Sequence, residues 1–237
     1  MSNILVTGGA GYIGSNMIDN LLSNKNHVTC VDYLKFGIDP IHPYLNHDNF
    51  KFYNCDINDH ISFNKILLSK DFDVVIHLAA IVGDPACKLY SDEATKTNYK
   101  STIWLIDKCI EIGIARFIFA STCSNYGKSK NPNEHLTEDS ELLPVSLYAN
   151  LKVDVENYLL NEIKKTHKFC PTIMRFSTVY GLSQRMRFDL TVNEFTKELS
   201  LNRELVVFGE QFWRPYCHVD DFGNAINLVM NSPEEKV

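Results

Sequence analysis

The sequence predicts an α/β protein built on a doubly wound parallel sheet, and three observations carry that expectation. Short apolar runs alternate with helix-period stretches along most of the 237 residues. A glycine-rich turn separates the first strand from the first helix, and the residues able to do chemistry fall just after strand ends. Apolar strands alternating with helices imply a parallel sheet covered on both faces, and ligands of such sheets sit beyond the carboxyl ends of the strands.

Taken in order, Asn3-Ile4-Leu5-Val6-Thr7 reads as a buried strand that runs into Gly8-Gly9-Ala10-Gly11-Tyr12-Ile13-Gly14. Apolar residues then recur at helical spacing through Leu22. Gly8, Gly11 and Gly14 let backbone approach a pyrophosphate at a helix N-terminus, where no basic side chain is needed. A second strand, His27 to Val31, ends on Asp32, 18 positions beyond Gly14, near the spacing of an acid that accepts from an adenosine 2′-hydroxyl. A carboxylate there repels a 2′-phosphate, and Tyr33 and Leu34 offer no cation, so NAD is favoured over NADP. Further strands are expected at Phe50 to Asn54, Asp73 to His77, Arg116 to Ala120 and Pro171 to Arg175. The helical stretches between them run approximately from Phe63 to Lys70, Glu93 to Ile112 and Leu147 to Lys165.

Composition fits the core of a globular enzyme: 45% of residues are hydrophobic, enough to bury a sizeable core. With a net charge of −6 and no basic run, nothing points to nucleic acid or an anionic membrane surface. No apolar stretch approaches the ~20 residues of a membrane span, and the first strand begins too early for a signal peptide, so a cytoplasmic location is expected. Seven cysteines without Cys-x-x-Cys spacing read as reduced, small hydrophobes. The eight histidines are isolated, and no metal site is expected.

Tyr148 and Lys152 lie four apart on one helix face, where an ammonium can make a phenol acidic and turn the pair into a proton-transfer device. The same helix carries an apolar stripe of Leu151, Val155, Tyr158 and Leu159, which suits either the sheet or a partner subunit.

Together with Thr7 to Gly14, His77-Leu78-Ala79-Ala80, Ser121 to Gly127, Tyr148-x-x-x-Lys152 and Arg214 to Asp221, the chain resembles the extended short-chain dehydrogenases, and within them the NAD-dependent sugar-nucleotide epimerases and dehydratases. The match covers essentially the whole chain. It implies a Rossmann domain over residues 1–175 and a partial substrate lobe over 176–237 with a segment returning to the core. It implies that Tyr148 takes the proton of a sugar hydroxyl, normally on C4, that Lys152 lowers the Tyr148 pKa and holds the nicotinamide ribose, and that Thr122 hydrogen-bonds the same hydroxyl. Cofactor positions carried over are Tyr12 and Ile13 after the pyrophosphate turn, Asp56 and Ile57 at the adenine, and Leu78, Ala79 and Ala80 beneath the cofactor. Asn98 would position the active-site backbone and Phe176 would lie near the nicotinamide, whereas His77 reads as structural and Asp56 is equally suited to a turn. The substrate, a nucleotide-diphosphate sugar, would be met by Asp84, Ser124, Thr178, Asn193 and Arg214; Arg185 and Arg187 are either phosphate contacts or solvated loop charges.

Two departures from the family pattern bear on the reaction. Where the 4,6-dehydratases carry Asp and Glu after the threonine, this chain has Cys123 and Ser124, which disfavours dehydration and uronate decarboxylation. Epimerisation at C4 needs no such pair, nor does an oxidase that stops at the ketone. The chain also ends soon after the His218-Val219-Asp220-Asp221 helix, where family members continue, so it is either a fragment or has a small lobe. A catalytically silent NAD-binding protein on the same fold is the reading from a different class. The family commonly forms homodimers through the two long helices, and the same is expected here.

Overall fold

Alternation of side chains along the strands splits the apolar residues into two cores. Leu5, Val31, Val75, Phe117 and Phe119 point to one face, while Ile4, Val6, Val28, Cys30, Ile76 and Ile118 point to the other. The strands therefore need a helical layer on each side. A computed structural model of the chain describes residues 1–128, 135–166, 168–211 and 213–233. It shows six parallel strands, β1 (Asn3–Thr7), β2 (His27–Asp32), β3 (Phe50–Asn54), β4 (Val74–His77), β5 (Arg116–Thr122) and β6 (Cys170–Phe176), in the order β3-β2-β1-β4-β5-β6. The order reverses between β1 and β4, so a crevice opens there at the carboxyl edge.

One face is covered by α2 (His60–Leu67), α5 (Thr102–Ile112) and α6 (Leu147–Ile163). The other is covered by α1 (Tyr12–Ser23) and α8 (Val219–Asn231), which supply Met17, Ile18, Leu21 and Ile226 to the second core. Local chemistry sets the helix ends. Ser146 caps α6 by accepting from the Ala149 N–H at 3.2 Å, Asp59 caps α2 through the Ser62 N–H, and Gly113 closes α5 at φ 80°. The α1–α8 seam is polar: Asn16 donates to Asp220 at 2.9 Å and Asn20 to Asn224 at 3.2 Å. Arg116 of β5 satisfies the carbonyls of Val229 and Ser232 at the C-terminal end of α8.

The six sheet strands lie where the sequence puts them, to within two residues. The stretch from Glu93 to Ile112 is not one α-helix: α4 (Ser91–Thr95) passes through a π-helical segment, Lys96–Ser101, before α5. The wider turn carries Asn98, whose amide grips the Ile81 peptide on both sides. Three elements in the sequence's loops are a 3-10 turn at Asp39–Tyr44, a short helix α3 (Asp84–Leu89), and α7 (Thr191–Ser200). A two-stranded parallel sheet pairs β7 (Thr178–Tyr180) with β8 (Tyr216–His218) beside the main one.

The stripe on α6 is spent inside the chain. Val155 and Leu159 are fully buried against the sheet, Leu151 is buried beside Ile81, Cys87 and Ala94, and the Tyr158 hydroxyl donates to Asp107 of α5. Leu159→Ala should therefore lower the free energy of unfolding by roughly 2–5 kcal/mol in a denaturant titration, the range for an unfilled core cavity. A change in subunit association with stability intact would mean that this face meets a partner instead.

Candidate active site

Close packing of the glycine turn against the end of β4 builds the first wall of the crevice. Gly8 adopts φ +74°, and a Cβ there would lie 2.6 Å from the Ala79 nitrogen. A Cβ on Gly14 would lie 2.4 Å from the Gly8 carbonyl oxygen, so the first turn of α1 folds back tightly onto the loop. Gly11 is the N-cap of α1 and no side chain caps that end, which leaves a first turn suited to an anion. The Asp32 carboxylate ties the loop to β2, accepting from the Ala10 N–H at 3.1 Å and the Leu34 N–H at 2.8 Å. Burial raises its pKa against those donors, and each oxygen keeps a lone pair for a hydroxyl. Leu78 and Ala79 hang from Thr7 of β1, through its carbonyl at 3.1 Å and its Oγ1 at 3.4 Å, and Ala80 extends the same strand end. An uncapped helix end, a loop admitting only glycine and an acid at the next strand end fit an anionic dinucleotide.

The opposite wall comes from β5 and α6. Lys152 is 3% exposed, and its Nζ donates to the Ala120 carbonyl at 2.6 Å while lying 4.5 Å from the centre of the Phe119 ring and 6.0 Å from that of Tyr148. Burial pulls its pKa down to about 8, opposed by Cys87 and Glu156. For Tyr148 burial also dominates and pushes the phenol up, reinforced by Cys87, so in the chain by itself the phenol holds its proton. The sequence reading made Lys152 the acidifying influence; here desolvation dominates, and the opposing influence comes from Arg187. Thr122, 8% exposed, caps the 3-10 turn Cys123–Tyr126 by accepting from the Ser124 N–H at 3.1 Å, and it stands opposite Phe176 in the β5–β6 register.

The remaining sequence-derived positions lie as follows. Asn98 accepts from the Ile81 N–H and donates to its carbonyl, both at 2.8 Å, and so fixes the chain leaving β4. His77 is buried between Thr7 Oγ1 at 2.7 Å and Thr102 Oγ1 at 2.9 Å; burial, and then Lys152, hold its pKa down to about 3, and it stays neutral. Asp56 makes a turn, accepting from the Asn58 N–H at 2.8 Å, and the Ile57 side chain is buried in the core. Asp84 opens α3 after Gly83 rather than lying in a loop. Tyr12 turns its hydroxyl to the Gly181 carbonyl at 2.5 Å, and Ile13 packs beside it. Asn193 spends its amide on the Gly181 N–H, the Tyr12 hydroxyl and the Arg187 carbonyl, and so braces the second sheet. Phe176 stacks on Phe222 of α8, with ring centres 4.2 Å apart.

Thr178 begins β7, its N–H donating to the Pro215 carbonyl at 3.2 Å. Ser124 and Arg214 are exposed, and Arg214 lies near enough to Cys123 to draw its thiol pKa down, although burial, the larger influence, leaves it raised. Arg185 lies over the Phe36 ring at 3.8 Å, and Arg187 pairs with Asp189 at 2.6 Å. Residues absent from the sequence reading are Cys87, which is fully buried beside Tyr148 and Lys152, and Glu156 and Arg175 behind them. Helical spacing was the available signal for Glu156, which is four positions beyond Lys152. Among the described residues, no three potential metal ligands gather and no helix is long and apolar enough to cross a membrane.

The sequence model described as the NAD dependent epimerase/dehydratase family matches residues 4–237. The chain is 27% identical to a dTDP-D-glucose 4,6-dehydratase of Dictyostelium discoideum, over 99% of its own length but only 56% of the relative's. Among solved structures it is similar to a UDP-glucose 4-epimerase of Thermotoga maritima with UDP-glucose, at 32% identity and a TM-score of 0.84, covering 98% of this chain and 74% of that one. It is likewise similar to a UDP-glucuronic acid 4-epimerase of Bacillus cereus in complex with UDP-glucuronic acid and NAD, at 29% identity and a TM-score of 0.85, covering 97% and 73%. The six-stranded parallel sheet, the glycine cradle and the Tyr148–Lys152 pair agree with that match over nearly every residue: the chain belongs to the NAD dependent epimerase/dehydratase family.

Proposed function

We propose that the chain is an NAD-dependent sugar-nucleotide epimerase that acts at the sugar C4, and the observation that carries this is the placement of Thr122, Tyr148 and Lys152 around one carboxyl-edge crevice beside the glycine cradle. Bound NAD would accept hydride from the sugar carbon and return it, and its cationic ring would favour the phenolate. Gly8, Gly11 and Gly14 would admit the pyrophosphate and Asp32 would take the adenosine ribose. Tyr148 would remove the C4 hydroxyl proton and give it back, with Thr122 hydrogen-bonding that oxygen and Lys152 holding the nicotinamide ribose. Arg214 and Thr178, at the second sheet, would meet the nucleotide diphosphate. Residues 1–175 would then form the cofactor domain and the rest the substrate side, with α8 returning to cover the sheet.

Dehydration is the less favoured reaction. Elimination across C5 and C6 needs an acid and a base, and the group at the first of those positions is the Cys123 thiol, whose pKa burial raises. We also propose a homodimer through the outward sides of α5 and α6, where Leu160 is 46% exposed. A monomer mass in sedimentation across the micromolar range would remove that assembly.

Gly14→Ala should abolish NAD binding in calorimetry while the chain still folds, because the new Cβ presses the Gly8 carbonyl into the pyrophosphate space. Tyr148→Phe should keep NAD and lose turnover by about 10²–10⁴-fold, the usual worth of a proton-transfer group, when a panel of UDP-, GDP-, CDP- and dTDP-sugars is followed by mass and chromatography. A stereoisomer of unchanged mass from the parent protein supports the epimerase; accumulated NADH with a product two mass units lighter replaces it with an oxidase. Bound NAD with no reaction of any sugar nucleotide would leave a silent binder.

A further inference from the structure

Glu156 lies one turn beyond Lys152 and two beyond Tyr148 on α6, at 1% exposure. It is the hub of a buried network. Its Oε1 accepts from Ser121 Oγ, from Asn125 Nδ2 at 2.7 Å and from Arg175 Nε at 3.2 Å. Its Oε2 accepts from Arg175 Nε at 3.1 Å and from an Arg175 terminal nitrogen at 2.8 Å. The other Arg175 terminal nitrogen donates to the Tyr126 hydroxyl at 3.1 Å and the Glu138 carbonyl at 2.9 Å.

Every partner of this carboxylate is a chain neighbour of the candidate site. Ser121 precedes Thr122, Asn125 sits in the turn that Thr122 caps, and Arg175 precedes Phe176, the register partner of Thr122. We infer that Glu156 is a positioning residue: one carboxylate locks the Thr122 turn against the Tyr148–Lys152 helix and stands one helical turn from Lys152. The inference rests on the functional reading above, since it assigns Glu156 to serve the same three side chains.

Electrostatics and geometry agree on this role. The groups facing Lys152 are Tyr148 and Glu156 on its own helix, Cys87 on α3, His77 on β4, and the Ala120 carbonyl and Phe119 ring on β5. Cys87 and then Glu156 favour the charged lysine against burial, and Glu156 is itself paired with Arg175 at 2.8 Å. A purely packing role would not need an acid, because well-packed apolar side chains often replace buried ion pairs without loss of stability.

The test reads Lys152 directly, by nuclear magnetic resonance of carbon-13-labelled lysine in the free protein, with Lys152→Met assigning the signal. In the parent the side chain should titrate near pH 8. Glu156→Gln removes the anion that favours the charged form, so the midpoint should fall by on the order of one pH unit. Glu156→Asp keeps the charge but is one methylene shorter, so it should leave the midpoint in place while the Ser124 amide, held by Thr122 Oγ1, exchanges at least tenfold faster. An unmoved Lys152 midpoint in Glu156→Gln overturns the inference. Should that variant not fold, unchanged Ser124 exchange in Glu156→Asp overturns it instead. NAD calorimetry on the parent tests the functional reading separately: binding with an unmoved Lys152 sinks only the inference, and absent binding with the predicted shift sinks only the reading.

Discussion

A lysine ammonium held at 3% exposure is the constraint around which the site is organised. Desolvation pulls its pKa down to about 8, and a carbonyl at 2.6 Å, the face of an aromatic ring and Glu156 on the same helix favour the charged form. These compensating groups come from β5 and α6, so keeping the lysine charged also fixes how that helix sits on that strand. Cys123, next to Thr122 at the strand end, consequently lies close enough to Tyr148, one turn earlier on the helix, to act on its phenol.

The second constraint is the tight junction at the strand-order reversal. Gly8 and Gly14 let the loop, the first turn of α1 and the end of β4 approach more closely than any Cβ permits. Asn98 does the equivalent work for the next segment by holding both sides of the Ile81 peptide, and the π-helical turn is the backbone adjustment that puts it there. These close approaches hold the end of β4 against the glycine loop and the π-helical segment, the kind of fixed backbone that positions a hydroxyl against a cofactor.

Relatives at similar identity include both a 4,6-dehydratase and 4-epimerases, so overall likeness does not select between those chemistries. The local difference lies at Cys123, a half-buried thiol whose pKa burial raises, at the position where the 4,6-dehydratases carry a carboxylic acid.

The sheet, the glycine turn and the Tyr148–Lys152 pair were legible in the sequence because each follows from short-range rules, whereas Thr122 came only with the family resemblance. A buried strand announces itself by its apolar run, a phosphate turn by its glycines, and the Tyr148–Lys152 pair by helical spacing. What sequence could not rank were competing partners for one polar group. Asn193 had the right place for a phosphate contact, yet the fold spends its amide on Gly181, Tyr12 and Arg187. The α6 stripe, which suited either the sheet or a partner subunit, packs inside the chain. Glu156 and Arg175, 19 positions apart and unremarkable in the chain, become the buried ion pair behind the site only when β6 pairs with β5 under α6. The sequence by itself determined the parallel sheet, the glycine turn and the Tyr148–Lys152 spacing, which depend on neighbours within a few residues. Tertiary structure decided the sign of the Tyr148 shift, the partners of Asn193 and the hub at Glu156, because burial and long-range pairing set those energies.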